Sequence, residues 1–243
     1  MTYCVGILLR DGLIFAADSR TNAGLDNIFT FRKLTKIEQP GDRFMAILTA
    51  GNLATSQAVV SMVSERLEEG TEETSLYKVP TMFGAARILG NALREVVDAD
   101  GDYIRAEHAD PSASFILGGQ IRGRPMRLFH IYSAGNFIEA TKETPFMQIG
   151  ETKYGKPILD RVVEYDMPLD RGAKAALISF DSTMRSNLSV GLPLDLVVYL
   201  EGALGVSHHQ DIGHDNEYFH NLREDYGARL LDVFNGLPNP DID

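Results

Sequence analysis

Two functional groups at the amino terminus would together supply nucleophilic catalysis. Thr2 directly follows Met1, and a small second residue favours removal of that methionine. Removal would leave a hydroxyl and a free α-amine on the same residue, a pairing that activates threonine as a nucleophile. An α-amine has an ordinary pKa of about 7.7–8.0, so it can accept a proton near neutral pH. The first two residues therefore predict a threonine nucleophile that carries its own base.

The hairpin after Thr2 decides whether an acidic group can approach it. Thr2–Leu9 and Leu13–Ala17 read as two apolar strands around a turn at 10–12. A two-residue turn at 11–12 would put Asp18 on the face away from Thr2. A three-residue loop would put Asp18 opposite Cys4, on the same face as Thr2. Of these two turns, the three-residue loop is the one that suits the catalytic hypothesis.

Lys33 is the candidate link between Asp18 and Thr2. The offset of two residues is roughly 7 Å, at about 3.3 Å per residue, so the carboxylate cannot reach the hydroxyl. A lysine ammonium between them would favour deprotonation of the hydroxyl, and it would lower the pKa of the α-amine by like-charge repulsion. Lys36 is a less suitable substitute because it lies inside the run Leu34–Ile37 rather than before it. Taken singly, Asp18 also reads as a strand-end carboxylate and Lys33 as a solvated charge.

Four short motifs follow one another along the first fifty residues. They are Thr2-x-x-Val-Gly6, Ala16-Ala-Asp-Ser-Arg20, Lys33-Leu-x-x-Ile37 and Leu48-Thr-Ala-Gly51. In this order and spacing they resemble the β-subunit of proteasome-type threonine peptidases, and segments 150–160 and 182–191 are similar to the bacterial branch called Anbu, the ancestral β-subunit. The resemblance covers essentially the whole chain.

The resemblance implies a fold, an activity and a set of site residues. The fold would be a four-layer αββα sandwich of two antiparallel sheets flanked by helices, and the activity hydrolysis of peptide amides without a cofactor. The backbone N–H of Gly51 would stabilise an oxyanion, although Gly51 also reads as a helix-entry glycine. Ser189 would match the serine of the Arg-Asp-x-x-Ser-Gly pattern. Thr21 and Asn22 would pair with substrate backbone, and Thr49, Leu53 and Thr35 would line a small, moderately polar specificity pocket.

The chain departs from the family pattern at two positions. Glu151 stands in Gly150-Glu-Thr152 where the family usually carries Gly-Ser-Gly, and Ser186 stands where it carries the aspartate of Arg-Asp-x-x-Ser-Gly. These changes bear on how the α-amine is positioned. Asp181, about one helical turn upstream of Ser186, reads as a helix carboxylate rather than a replacement.

Composition narrows the class of protein. The 243 residues fit one large domain, which we expect to span 1–243, and the net charge of −11 argues against nucleic acid and anionic membrane as partners. Cys4 is the only cysteine, so no intrachain disulfide can form, and no signal-peptide pattern is present. We expect a bacterial-type cytoplasmic protein that forms a homo-oligomer of at least six chains, in a ring or a spiral.

The hydrophobic pattern predicts an α+β chain in which strands and helices come in groups. The interval Asn22–Thr30 reads as a surface loop, and Asp98–Pro111 reads as an acidic loop. Further strands are predicted at Leu34–Glu38, Phe44–Thr49, Ser112–Gly119, Met126–Ser133, Phe137–Thr141, Pro145–Ile149 and Leu194–Glu201, and helices at Leu53–Leu67, Thr81–Val97, Lys153–Tyr165, Arg171–Arg185 and Asn216–Phe234.

Two other functions fit parts of the sequence. If Met1 is retained, Thr2 has no free amine, and the chain would be a catalytically silent assembly subunit on the same fold. The run from His208 to His214 offers histidine and aspartate ligands for a metal-dependent hydrolase, but it lacks a recognised metal motif, and an exposed polar loop is favoured there. An N-terminal mass measurement separates the first alternative from the enzyme, and a metal analysis separates the second.

Overall fold

Two five-stranded antiparallel sheets form the centre of the molecule. The computed structural model describes residues 1–22 and 28–242. One sheet has the order β10-β1-β2-β11-β12, and the other has the order β5-β6-β7-β8-β9. The strands are β1 Tyr3–Leu9, β2 Gly12–Asp18, β3 Arg20–Asn22, β4 Ile28–Thr30, β5 Leu34–Gln39, β6 Arg43–Gly51, β7 Ala113–Ile121, β8 Arg127–Ile131, β9 Phe137–Glu139, β10 Phe146–Gly150, β11 Leu194–Leu200 and β12 His208–Ile212.

Helices cover the outer face of each sheet. One apolar cluster joins the β5–β9 sheet to α1 and α2, a second joins the β1-containing sheet to α3, α4 and α5, and a third lies between the sheets. The layers therefore run helix, sheet, sheet, helix, which confirms the sandwich that the resemblance implied. The helices are α1 Leu53–Glu69, α2 Met82–Ala106, α3 Lys156–Val162, α4 Leu169–Ser186 and α5 Glu217–Gly236.

The register of the first hairpin differs from both turns considered from the sequence. Leu9 pairs with Gly12 and Cys4 pairs with Ala17, so the expected loop at 10–12 is wrong and the turn contains only residues 10 and 11. Gly12 is part of β2 because it pairs with Leu200 of β11. A Cβ on Gly12 would lie 2.1 Å from the Tyr199 carbonyl oxygen. Packing of β11 against β2 thus sets the register, and that contact is not visible in the hairpin sequence.

Several element boundaries also differ from the predicted ones. Part of the predicted loop Asn22–Thr30 forms a ribbon of β3 and β4, while 23–27 lie outside the described residues. Helix α2 continues through much of the predicted acidic loop because its acidic residues face solvent while Gly101 faces inward. Helix α3 begins only at Lys156, since Pro157 is tolerated in a first turn and not in an interior. The predicted loop at 208–214 contains edge strand β12, whose partner is β11.

We predict that the contact between the sheets carries much of the stability. Leu128 is fully buried in the cluster between the sheets, so Leu128→Ala should lower the free energy of unfolding by about 2–5 kcal/mol, measured by denaturant titration. Leu188→Ala is the matched control because Leu188 is 84 % exposed, and it should change stability by less than about 0.5 kcal/mol. Equal losses in the two variants would contradict the packing described here.

Candidate active site

A buried ion pair links the end of β2 to the segment before β5. The Lys33 ammonium donates to Asp18 Oδ1 at 2.8 Å and to the Arg20 carbonyl oxygen at 2.6 Å. The Lys33 side chain is 5 % exposed and that of Asp18 is fully buried, so Lys33 is not the solvated charge of the alternative interpretation. Burial raises the pKa of Asp18, while the Lys33 ammonium and the Tyr3 N–H oppose that shift.

Asp18 also holds the residue after Thr2. Its Oδ1 accepts the Tyr3 backbone N–H at 3.0 Å. The bond can form because Cys4 pairs with Ala17, so that Asp18, the next residue, lies opposite Tyr3. The shorter turn therefore brings the carboxylate nearer to the amino terminus than the expected register would. One carboxylate oxygen thus fixes both the backbone beside Thr2 and the lysine ammonium.

Tyr3 anchors the start of β1 from the other side. Its hydroxyl donates to Ser179 Oγ at 3.0 Å and accepts from Gln148 Nε2 at 2.7 Å. The ring packs 4.6 Å from that of Phe180 in α4, between ring centroids. Burial raises the pKa of Tyr3 to about 12, so the phenol stays protonated. Thr2 is therefore attached to a strand end that is held by a helix, a strand and an ion pair.

Thr2 and Lys33 open onto one cavity of about 490 Å³. The structure brings five of the predicted site residues to its wall, namely Thr2, Lys33, Thr49, Gly51 and Leu53, together with Met1, Ala50, Ser56, Gly150 and Glu151. Burial and the Lys33 charge lower the pKa of the Met1 amine, and Asp18 raises it. Met1 thus places its amine near the same two charges that would act on a Thr2 amine.

The remaining residues that were predicted to contact substrate lie in β3 and β5. Thr21 and Asn22 lie in β3, in register with Phe29 and Ile28. Thr35 is in β5 opposite Ile47, away from the residues that form the wall.

Gly51 has a conformational reason to be glycine. Its φ of +104° lies in the region that L side chains rarely adopt, and a Cβ there would meet the Ser112 carbonyl oxygen at 2.4 Å. The chain leaves β6 at this point, and Asn52 caps α1 by accepting the Thr55 N–H. The turn exposes Gly51 at the cavity wall, where a ligand oxygen can approach its backbone.

A second glycine turn fixes the backbone of Thr2. Gly150 has a φ of +81°, and a Cβ on it would lie 2.0 Å from the Thr2 carbonyl oxygen. The next residue, Glu151, donates its backbone N–H to that same oxygen at 2.7 Å. Gly150 was the signal in the sequence from which this close approach could have been predicted.

Asn187 connects Glu151 to the segment that carries Ser189. Its Nδ2 donates to Glu151 Oε2 at 3.2 Å and lies 3.8 Å from Met1 Sδ, while its Oδ1 accepts the Ser189 N–H at 3.0 Å. Sequence reasoning missed Asn187, although it follows the noted Ser186. Ser186 itself is exposed at the last residue of α4.

Asp181 has a structural role. Its buried carboxylate accepts from Arg223 Nε at 2.6 Å and from Arg185 Nε at 3.1 Å, so it joins α4 to α5. Both of its oxygens are engaged in this way. It does not replace the aspartate that the family pattern has at position 186.

The histidine-containing run forms part of a charged cluster and not a separate metal-binding loop. His209 Nε2 lies 3.2 Å from Asp195 Oδ1, and Arg32 donates to Asp211 at 2.7 and 2.8 Å and also to Asp195. Arg32 lowers the pKa of Asp211 to about 2, whereas burial raises that of Asp195. The three possible ligands converge, but the single Arg32 guanidinium already bonds to both carboxylates. A metal ion there would have to compete with Arg32 for Asp195 and Asp211.

The fold and this cavity define a proteasome-type subunit. The family model for the proteasome subunit matches residues 2–198, and the chain belongs to that family. Among curated relatives, the proteasome subunit beta of Methanococcus aeolicus is 25 % identical over 202 residues, covering 81 % of this chain and 83 % of the relative.

Solved structures of Anbu are more similar still. Anbu from Yersinia bercovieri is 48 % identical with a TM-score of 0.92, covering 99 % of this chain and 100 % of that one. A helical assembly of the Anbu complex from Pseudomonas aeruginosa is 47 % identical with a TM-score of 0.92, covering 98 % of each chain. These matches confirm the resemblance to the Anbu branch. Among the described residues, none of the helices is both long and apolar enough to cross a membrane.

We predict a pH-dependent cost of removing the buried lysine. Lys33→Met would leave the Asp18 carboxylate without its cation, so the free energy of unfolding should fall by about 3–5 kcal/mol at pH 8. Protonation of Asp18 removes the unpaired charge, so this loss should shrink as the pH falls through the raised pKa of Asp18. Denaturant titrations at pH 5 to 8 measure the difference.

Lys36→Met is the matched control for this prediction. Lys36 is only partly buried, and its ammonium lies 3.3 Å from His209 Nδ1, so its removal leaves Asp18 paired. This variant should lose less than about 1 kcal/mol. A pH-independent loss in Lys33→Met, or an equal loss in the control, would show that the ion pair does not have this role.

Proposed function

We propose that this chain is an N-terminal-nucleophile threonine hydrolase that acts on peptide amides. The observation that carries the proposal is the buried Asp18–Lys33 pair, whose lysine opens onto the same cavity as Thr2. The pair is costly to bury, and it faces a residue that gains a nucleophile and a base when Met1 is removed. Membership in the proteasome subunit family supports the same reaction class.

Each residue has a distinct part in the proposed reaction. The Thr2 hydroxyl attacks the carbonyl carbon of the substrate amide and passes its proton to the Thr2 α-amine. The Lys33 ammonium, oriented by Asp18, favours the deprotonated hydroxyl. By like-charge repulsion it also lowers the pKa of the α-amine, so that the amine is free to accept a proton. The backbone N–H of Gly51 stabilises the oxyanion, a contribution of about 2.7–4 kcal/mol for donors of this kind.

Collapse of the tetrahedral intermediate completes the first half of the reaction. The carbon–nitrogen bond breaks, the leaving amine takes the proton from the α-amine, and an ester joins the acyl group to Thr2. Water then attacks the ester with the same α-amine as base, which frees the acid and restores the hydroxyl. Ser189, whose backbone N–H donates to Asn187 Oδ1, is the proposed further member of this site.

The proposed substrate contacts come from the edges of the cavity. The backbone of Thr21 and Asn22 in β3 would pair with an extended peptide, while Thr49 and Leu53 would contact the side chain that enters the pocket. The reaction needs no cofactor. The competing function, a silent assembly subunit, applies if Met1 is retained, because Met1 lines the cavity and blocks the Thr2 amine.

The nucleophile is tested by substitution together with the N-terminal mass. We expect the active chain to begin at Thr2, Thr2→Ala to abolish hydrolysis of short peptide amides, and Thr2→Ser to keep part of it, because serine retains the hydroxyl and the amine. The rate of release of a fluorogenic amine is the measurement. Thr144→Ala changes an exposed threonine in a loop and should leave the rate unchanged. Hydrolysis by Thr2→Ala at the wild-type rate would refute the proposal, and a mass that includes Met1 would favour the silent subunit.

We also propose that the chain forms a homo-oligomer of at least six copies. Helix α5 buries Phe219 near its start, but its second half and the residue that follows it expose five large apolar side chains by 54–71 % each. Four of them recur at the spacing of one helix face. A second copy of this chain is the proposed cover for that face, and the helical assembly known for the similar Anbu complex supports this. The exposed residues are Leu230, Leu231, Val233, Phe234 and Leu237.

Sedimentation velocity at micromolar concentration tests this assembly. The wild-type chain should give a single species of at least six 26.8 kDa protomers. Phe234→Ser should lower the assembly state because it places a polar group on the α5 face. Tyr103→Ser, which changes a side chain 78 % exposed on α2, is the control and should not. A wild-type monomer would refute the assembly.

A further inference from the structure

The cavity wall contains one carboxylate that the proposed reaction does not use. Glu151 lines the cavity, and the bond from its backbone N–H to the Thr2 carbonyl oxygen holds it beside the nucleophile. The side chain is half-buried, and its carboxylate accepts a hydrogen bond from a neutral group, the Asn187 amide. Among the described residues, no lysine or arginine lies within ion-pair distance of this carboxylate.

The cations nearest to the cavity are already engaged. The Lys33 ammonium is shared between Asp18 and the Arg20 carbonyl oxygen. The Arg20 guanidinium donates to the Leu188 carbonyl oxygen at 3.0 Å and packs against Gly191. Lys33 has its own carboxylate partner and Arg20 bonds to a carbonyl oxygen, so Glu151 is a carboxylate on the cavity wall that neither cation pairs with.

The Met1 side chain lies beside the Glu151–Asn187 pair. The Asn187 amide that holds Glu151 contacts Met1 at Sδ, the far end of the side chain and five bonds from the Thr2 nitrogen. The charged groups that act on the Met1 amine are Lys33 and Asp18. Removal of Met1 would vacate the space beside Asn187 and Glu151, next to the nucleophile, where a substrate side chain or terminus can enter.

We propose that Glu151 is a specificity residue that binds a cationic group of the substrate next to the scissile amide. This inference rests on the proposed hydrolase function and narrows its substrate class to basic peptides. A charge-assisted hydrogen bond in a partly enclosed cavity gives about 1.5–3 kcal/mol, or about tenfold to a hundredfold in affinity. The cation is either a lysine or arginine side chain or the free α-amine of a short peptide.

Binding without turnover gives the most direct test. The chain is prepared to begin at residue 2 and carries Thr2→Ala, and calorimetry compares three peptide amides of equal length. One has a lysine and a blocked amino terminus, one has norleucine in its place and is also blocked, and one has norleucine and a free amino terminus. A preference of about tenfold or more for a cationic peptide over the blocked norleucine peptide is expected. The cationic arm that binds identifies the source of the charge.

Variants at Glu151 show whether the carboxylate causes the preference. Added to the same chain, Glu151→Gln should bring the ratio of affinities close to one, and Glu151→Lys should favour a glutamate-containing peptide. Glu72→Gln alters an exposed carboxylate in the segment between α1 and α2, and it should retain the full preference. The Gln and Lys variants predict opposite changes, so a general loss of folding cannot imitate both.

The outcomes separate this inference from the hydrolase proposal. Equal affinity for all three peptides, no binding of either cationic peptide, or a preference that survives Glu151→Gln would overturn the role of Glu151, even where Thr2-dependent hydrolysis is observed. A shift of the acid limb of the pH–rate profile in Glu151→Gln, with an unchanged affinity ratio, would assign Glu151 to the α-amine and also overturn it. A preference that depends on Glu151 supports the inference even if no hydrolysis is detected.

Discussion

The geometry of the amino terminus depends on the burial of one ion pair. Transfer of a carboxylate and an ammonium from water to a protein interior costs several kcal/mol per ion, and only close approach with further hydrogen bonds offsets this. Asp18 and Lys33 meet that requirement in part, through the Tyr3 N–H and the Arg20 carbonyl oxygen, whereas Asp18 Oδ2 is buried without a hydrogen-bond partner among the residues that the structure describes. The end of β2, the start of β1, the start of β3 and the segment before β5 must therefore all converge at one point.

A buried ion pair is weak evidence for stability, because apolar residues of similar size often do as well. Its position next to Thr2 gives it a functional explanation instead. The Gly150 turn, the Glu151 N–H and the Tyr3 hydroxyl hold the same strand end by neutral contacts. Neutral contacts therefore share the anchoring with the ion pair. What only the ion pair adds is a fixed positive charge at the edge of the cavity, which is what a hydroxyl nucleophile requires.

Local patterns predicted a layered α+β chain, and the family resemblance supplied the four-layer sandwich. Alternating apolar runs indicated the strands, and the motif around Lys33 identified the lysine that pairs with Asp18. The hairpin register failed because it is set by β11, far away in the sequence. Strand β12 was missed for a related reason: its polar residues face outward at a sheet edge, so only its pairing with β11 reveals it.

Asn187 shows a different limit of sequence reasoning. An asparagine after a helix is an ordinary C-terminal residue, and nothing local distinguishes one whose amide reaches another strand. Its role depends on β10 ending beside α4, which brings Glu151 within 3.2 Å. A site that is assembled from three distant segments can be named from motifs only where each segment matches a known pattern, and position 187 lies between the two patterned positions 186 and 189.

The two departures from the family pattern are connected in space. Relative to that pattern, the chain lacks a carboxylate at Ser186 and has an additional one at Glu151. Asn187, the residue after Ser186, donates a hydrogen bond to the Glu151 carboxylate. The number of negative charges is unchanged, but the charge has moved from the end of a helix to the wall of the cavity. Ser186 is exposed at the helix end. On the cavity wall a carboxylate is partly shielded from water and lies beside any bound ligand, which is the placement that the proposed specificity role of Glu151 requires.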